Sequence, residues 1–329
     1  MNTSANTIEK KQRIESLYLL KAICSLFVVM IHSTCWFKDD LYFILGVGTP
    51  CFLSITGYLL YSNNSSKELN KCINWAKKLF KLALICSLIY PLVYCPLIGM
   101  EWTWKTFVIN FLSGRRFCFV LWYLTALWQA LLIFWVIRKY VPRLIVWLPT
   151  ILILTYLIRQ YFDDIHIGIL EQLHISLRNN AIMTALPFLA VGYLIHQHKE
   201  KLLKAINVNI WLPVVIIALF AEYKVRVFFG FPYSLFFILS FPCVFLLILF
   251  CVRHSDFKLP LLNTIGKKHS ANIYYFHMIF LAGIRYLGIE STFESILIWV
   301  GCIPLSIVFN YATDTSSKLM ANIFKMKQT

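Results

Sequence analysis

Two residues in the first apolar stretch of the chain can do acid–base and anion chemistry: Lys21 and, eleven positions on, His32. In an α-helix, eleven residues at 100° each leave two side chains about 20° apart around the axis, with a rise of about 16 Å. Ser25 and Val28 fall on the same stripe, so the spacing runs i, i+4, i+7, i+11. Ionisable groups inside a lipid-spanning segment are costly and usually mark a function. The ammonium of Lys21 can hold an anion. The imidazole of His32, with an unperturbed pKa of about 6.5, can act as a base near neutrality. The plain alternatives are a lysine snorkelling to the membrane surface and a histidine that closes a polar network.

Four further clusters carry polar chemistry. Lys71, Lys77, Lys78 and Lys81 form a basic group. Lys78 and Lys81, at i, i+3 on an expected helix start, could reach one phosphate, or the group could simply anchor the cytoplasmic side. In PCFLSITGYLLY, residues 50–61, Ser54 and Tyr58 interrupt an apolar helix and either pack against a neighbouring helix or line a tunnel. Trp122, in LWYLTALWQ, reads as an interfacial aromatic belt or a sugar-stacking platform. His277, in IYYFHMIF, is a second histidine within an apolar run, structural or functional. Asp163, Asp164, His166 and His174 lie in one loop at a spacing that fits no metal site, so no metal is expected. The ten cysteines form no Cys-x-x-Cys pair and read as small buried hydrophobes. There is no P-loop, dinucleotide fingerprint or nucleophile elbow.

The elements that must position these residues follow from composition. The chain is 59% hydrophobic and 14% charged, against about 25% charged in soluble domains, so an all-α polytopic membrane protein is expected. The first apolar run, of about 20 residues, is long enough to span, and no small-x-small cleavage site follows it, so a retained helix is expected. About ten transmembrane helices are expected, at 16–36, 41–61, 78–98, 117–137, 143–159, 180–196, 208–222, 232–252, 269–288 and 292–312. Tails are expected at 1–15 and 313–329 of a single domain. With both termini on one side, that side collects 22 of the 31 Lys and Arg residues, so the positive-inside rule puts both termini in the cytoplasm. The whole net charge of +16 then lies on that side, which makes it a topology signal rather than a nucleic-acid surface.

The motifs in their order resemble those of the acyltransferase-3 family of integral-membrane O-acyltransferases. They are Arg13-x-Glu15, Leu17-x-x-x-Lys21 and His32, then Phe52, Ser54 and Gly57-Tyr58-Leu59-Leu60, then the basic cluster. Trp122-Tyr123-Leu124, LPFLAVGYL at 186–194 and Tyr274-x-x-His277 follow. The resemblance covers almost the whole chain. It implies a ten-helix core in the bacterial cytoplasmic (inner) membrane, with acetyl-CoA or another acyl-CoA as donor substrate and no bound cofactor. The acceptor would be a hydroxyl of a cell-surface glycan or lipid-linked sugar. His32 matches the family's helix-one histidine and would be catalytic. Lys21, Lys78 and Lys81 stand where the family has arginines and, with Arg13, would bind the donor; lysine keeps the charge there but loses the bidentate fork. Tyr18 stands where an acidic residue is usual, and Ile55 and Thr56 separate Ser54 from Gly57 where the family often joins Ser to Gly. The rival readings are a transporter or flippase of a glycan or lipid intermediate, which commonly brings internal repeats that this chain does not show, and a non-catalytic membrane scaffold.

Overall fold

The computed structural model describes residues 14–113, 118–161, 179–230, 237–289 and 291–326. Among these every regular element is helical. The main helices are α1 (Glu15–His32), α2 (Lys38–Leu45), α3 (Gly48–Leu60), α4 (Ser65–Ile89), α5 (Trp104–Ser113), α6 (Trp122–Tyr140) and α7 (Ile151–Tyr161). They continue with α8 (Leu186–Gln197), α9 (Lys199–Ala205), α10 (Val208–Phe228), α11 (Ser240–Arg253), α12 (Pro260–Lys268), α13 (Ser270–Tyr286) and α14 (Glu294–Met326).

Five stretches are long and apolar enough to cross a membrane: Glu15–His32, Lys38–Leu60, Ser65–Leu97, Val208–Phe228 and Glu294–Thr313. Shorter apolar helices cover Pro142–Leu157, Ala181–Gln197 and Ser240–Arg253. The protein is therefore a multi-pass membrane protein. Burial sorts the long stretches: Lys38–Leu60 is 72% buried and Glu294–Thr313 only 17%. The first is thus an inner element. The second is an outer wall whose Ile296, Leu297, Val300, Ile307 and Val308 side chains are exposed, as lipid contact requires.

Several expected boundaries move, each for a local reason. The 41–61 helix is cut in two near Gly46, and Pro50, which lacks an amide hydrogen, sits in the first turn of α3. The 78–98 helix begins at Ser65, because Asn64 Oδ1 accepts from the Lys67 amide at 3.0 Å and caps it. Lys78 and Lys81 therefore do not open this helix. Its far end widens into a π-helical turn, Tyr90–Tyr94, at Pro91. The 143–159 segment starts as a 3-10 helix, Pro142–Thr150. The 180–196 segment starts as a π turn, Ala181–Ala185, capped by Asn180. Helix α14 continues to Met326, so the expected tail from 313 is helical there.

Helix α1 is the hub, with α2, α3, α11, α12, α13 and α14 packed on it. Glycines set the tightest crossings. A Cβ on Gly57 would run into the Leu189 carbonyl, one on Gly192 into the Ser54 carbonyl, and one on Gly266 into the Tyr18 carbonyl. Backbone thus meets backbone between α3 and α8 and between α1 and α12, the close approach that small residues allow in membranes. Polar contacts add to this: Asn272 Nδ2 donates to Ser306 Oγ (2.9 Å) and Asn310 Oδ1 (2.8 Å), tying α13 to α14.

Candidate active site

The end of α1 is fixed from three sides. The Ser33 amide and hydroxyl both donate to Val29 O, at 3.1 and 2.7 Å. Lys38 Nζ donates to Ile31 O (2.8 Å) and Ser33 O (3.2 Å), which places a cation at the helix C-terminus, where carbonyls lack partners. The Thr34 amide donates to Glu294 Oε2 (2.6 Å), Ser33 and Ser295 share a hydroxyl–hydroxyl bond (2.7 Å), and Glu294 pairs with Arg285 (3.2 Å). His32, the last residue of α1, is therefore held at the junction of α1, α13 and α14.

There it meets His277. The two rings stack with centroids 5.4 Å apart and planes 19° apart. His277 is only 1% exposed. Its Nδ1 lies 2.8 Å from Tyr274 O and 3.3 Å from Ile273 O. Carbonyl oxygens only accept, so Nδ1 carries the proton in the neutral ring and donates. Nε2 is then a bare lone pair, buried and without a hydrogen-bond partner among the described residues. Rings continue inward from this pair: Tyr274 lies 6.0 Å from His277, Tyr123 lies 4.7 Å from Tyr274, and Phe52 lies 6.4 Å from Tyr123.

The rest of the α1 stripe also faces protein. Ser25 is fully buried and accepts from Trp299 Nε1 at 2.8 Å, and Val28 is buried. Lys21 is partly buried and makes no hydrogen bond or ion pair with any described residue. Arg13 and the Asp163–His174 loop lie outside the described residues. Lys78 and Lys81 are exposed, on the face of α4 opposite buried Cys72, Ala76 and Ala83. The structure brings His32 and His277 together. It joins neither Lys78 nor Lys81 to them by any contact among the described residues.

Ser54, Tyr58 and Trp122 all lie in buried surroundings. Ser54 is fully buried and donates to Phe188 O at 3.0 Å across the α3–α8 crossing. Tyr58 is buried, with its ring 4.3 Å from that of His196. Trp122 is buried rather than belted, 6.3 Å from the Tyr123 ring. All ten cysteines are free and buried. No cluster of metal ligands occurs among the described residues.

One polar centre escaped sequence reasoning. Arg138 Nε donates to Glu68 Oε2 at 2.8 Å and to Tyr193 Oη at 3.1 Å, and Arg138 Nη2 donates to Ser65 Oγ at 3.0 Å. The Glu68 side chain is 0% exposed. The available signal was one acid within a lysine-rich run, and its cation lies two helices further along the chain. Beside it Lys71 Nζ donates to the carbonyls of Leu59, Leu60 and Tyr61 at 3.2–3.3 Å, so this lysine caps α3.

No curated protein and no solved structure matches the chain. The family model described as an acyltransferase domain, that of acyltransferase-3, matches residues 14–314, from the start of α1 to the middle of α14. Nearly the whole chain is covered, and the protein belongs to the acyltransferase-3 family of membrane acyltransferases.

Proposed function

We propose that this membrane acyltransferase moves an acyl group, most simply acetyl, from cytoplasmic acyl-CoA to a hydroxyl of a cell-surface glycan or lipid-linked sugar. In this reading ten segments cross the bacterial inner membrane and both termini lie in the cytoplasm, as the charge distribution favours. The donor phosphates sit at the basic side, with Lys21, Arg13, Lys78 and Lys81 as their counter-charges. Lys21 is the best supported of these, since it is partly buried and has no protein partner among the described residues.

The carrying observation is the stacked imidazole pair at the end of α1. His32 takes the proton of the acceptor hydroxyl as its oxygen attacks the thioester carbonyl. The tetrahedral oxyanion collapses, the C–S bond breaks, and the imidazolium returns the proton to the departing thiolate. No net charge is left in the bundle, so the low-dielectric surroundings are not asked to keep an ion. The bare Nε2 of His277 accepts a hydrogen bond from a hydroxyl held beside His32 and orients it.

Membranes carrying the protein are incubated with radiolabelled acetyl-CoA and the labelled glycan or lipid is identified. His32→Ala, at equal expression, is expected to abolish the labelling. Lys21→Met is expected to raise the half-saturating acetyl-CoA concentration, with Lys21→Arg restoring it. Wild-type labelling in His32→Ala would remove the proposed base.

A further inference from the structure

The first turn of α14 carries a carboxylate, Glu294, that bonds to both histidine-bearing segments. Its Oε2 accepts from the Thr34 amide at 2.6 Å, two residues past His32. Both oxygens also face Arg285 on α13, eight residues past His277: Nε donates to Oε1 at 3.2 Å and Nη2 to Oε2 at 3.4 Å. A guanidinium fork on a carboxylate fixes direction as well as distance. Glu294 is only 4% exposed, so little water competes for these bonds.

His32 needs such a hold. It is the last residue of α1, and helix ends fray. The chain leaves it extended, with Ser33 at φ −121° and ψ 169°. The residues that follow lie along the start of α14. Besides the Thr34 bond, the Ser295 amide donates to Thr34 O at 3.3 Å, and the Trp36 amide donates to Thr292 O at 3.3 Å. His277 sits inside α13 and is fixed by its helix, but α13 must itself be held relative to α1. One carboxylate does this at the outer end, through the chain of contacts from His32 by way of Thr34, Glu294 and Arg285 to α13 and His277. The two rings stack at 5.4 Å within that frame.

We propose that Glu294 is a positioning residue for acyl transfer: by holding α1 through Thr34 and α13 through Arg285, it keeps the His32 and His277 imidazoles in one working geometry. The inference rests on the acyl-transfer reading above and adds a residue that acts through the pair. A reacting geometry displaced by about 1 Å can lose about a hundredfold in rate, so play at the end of α1 matters more than play elsewhere in the bundle. The plain alternative is an ion pair that only welds two helices. A weld lowers Tm and takes donor binding with it. A positioning contact lowers turnover alone. Lys38, which donates to Ile31 O and Ser33 O, holds the same helix end independently, so removing the carboxylate loosens that end without releasing it.

The test uses the full-length protein in lipid nanodiscs, with acetyl-CoA varied over a saturating amount of envelope glycan. Glu294→Gln keeps an acceptor for the Thr34 amide and removes the charge that holds Arg285. It is expected to lower kcat at least about tenfold, to leave the half-saturating acetyl-CoA where it was, and to keep the rise in Tm that coenzyme A gives. Arg285→Gln is expected to do the same. The double variant is expected to be no slower than the slower single one, because both break one link. Ser295→Ala removes a hydroxyl 2.7 Å from Ser33 Oγ and is a gentler probe of the same contact should Glu294→Gln not fold. It is expected to lower kcat about threefold, again at constant half-saturating acetyl-CoA. Wild-type kcat in Glu294→Gln, or in Ser295→Ala where only that variant folds, overturns the role. So does a half-saturating acetyl-CoA that rises in step with the loss of kcat, or a double variant in which the two losses multiply. Absence of transfer by the wild type would instead strike the acyl-transfer reading on which the role depends.

Discussion

Carbonyl oxygens accept hydrogen bonds and never donate them, so the two carbonyls facing Nδ1 of His277 settle its tautomer and leave Nε2 as a lone pair. On the proposed mechanism that lone pair orients the acceptor hydroxyl. His277→Phe keeps a flat ring against His32 but removes both nitrogens. It is expected to lower acyl transfer by about tenfold, the worth of one orienting hydrogen bond, at unchanged Tm. Full activity in that variant would make the second imidazole purely structural. A different balance governs Glu68, whose side chain is fully buried while Arg138 remains 22% exposed. Removing the cation alone leaves an unpaired carboxylate inside the bundle, so Arg138→Met is expected to cost about 3–5 kcal/mol, read as a lower Tm in detergent. The double variant Glu68→Leu/Arg138→Met is expected to recover most of that loss, because it removes the buried charge as well. An unchanged Tm in Arg138→Met would mean that water reaches Glu68.

Among the helices, the decisive contacts are those where backbone touches backbone. Gly192 on α8 sits against the Ser54 carbonyl and Gly57 on α3 against the Leu189 carbonyl, with no flexible side chain to yield. Gly192→Ala is expected to destabilise the protein by about 1–3 kcal/mol or more, as overpacking does. Gly283, on α13, has open space where a methyl group would stand, with nothing within 4 Å. Gly283→Ala is therefore expected to stabilise α13 by about 0.5–1 kcal/mol, the entropy saved in a helix interior. Fluorescence-detected size exclusion after a heating series compares the two, and equal thermal shifts would show that the α3–α8 crossing can open without cost. The glycine in GYL of each helix was visible in the sequence; that the two glycines interlock was not. The breaks at Gly46, Pro91 and Pro142 also carried local signals. The Ser65 start of α4 was missed because a lysine-rich amphipathic turn reads as loop when hydropathy alone sets the boundary.

For the whole molecule, the direction in which the bundle sits in the membrane decides which end of α1 meets the donor. On the proposed ten-span topology 22 of the 31 basic residues fall on the side of the termini, which the positive-inside rule places in the cytoplasm. A fluorescent-protein fusion at Thr329 is expected to fluoresce and an alkaline-phosphatase fusion at the same place to be inactive, since the first folds in the cytoplasm and the second needs an oxidising compartment. The reverse pattern would invert the topology and move acetyl-CoA to the wrong end of α1.

Local information was enough for a great deal: a helical membrane chain from its hydropathy, family membership from motif order, and one polar stripe on α1 from its 100° periodicity. Each of these is a property of a single helix or of the composition. Helical spacing fixes which side chains share a face, but not which other helix that face meets. The meeting of His32 with His277 depends on the register of α1 against α12 and α13. That register is set by contacts between residues far apart in the chain, such as Gly266 on the Tyr18 carbonyl and Asn263 Nδ2 donating to Glu15 O at 2.8 Å. The docking of the widened turn at Pro91 on α13, through Tyr90 Oη donating to Tyr275 O at 2.6 Å, is likewise a property of neither segment alone. Those are long-range packing outcomes, and tertiary structure alone decided them.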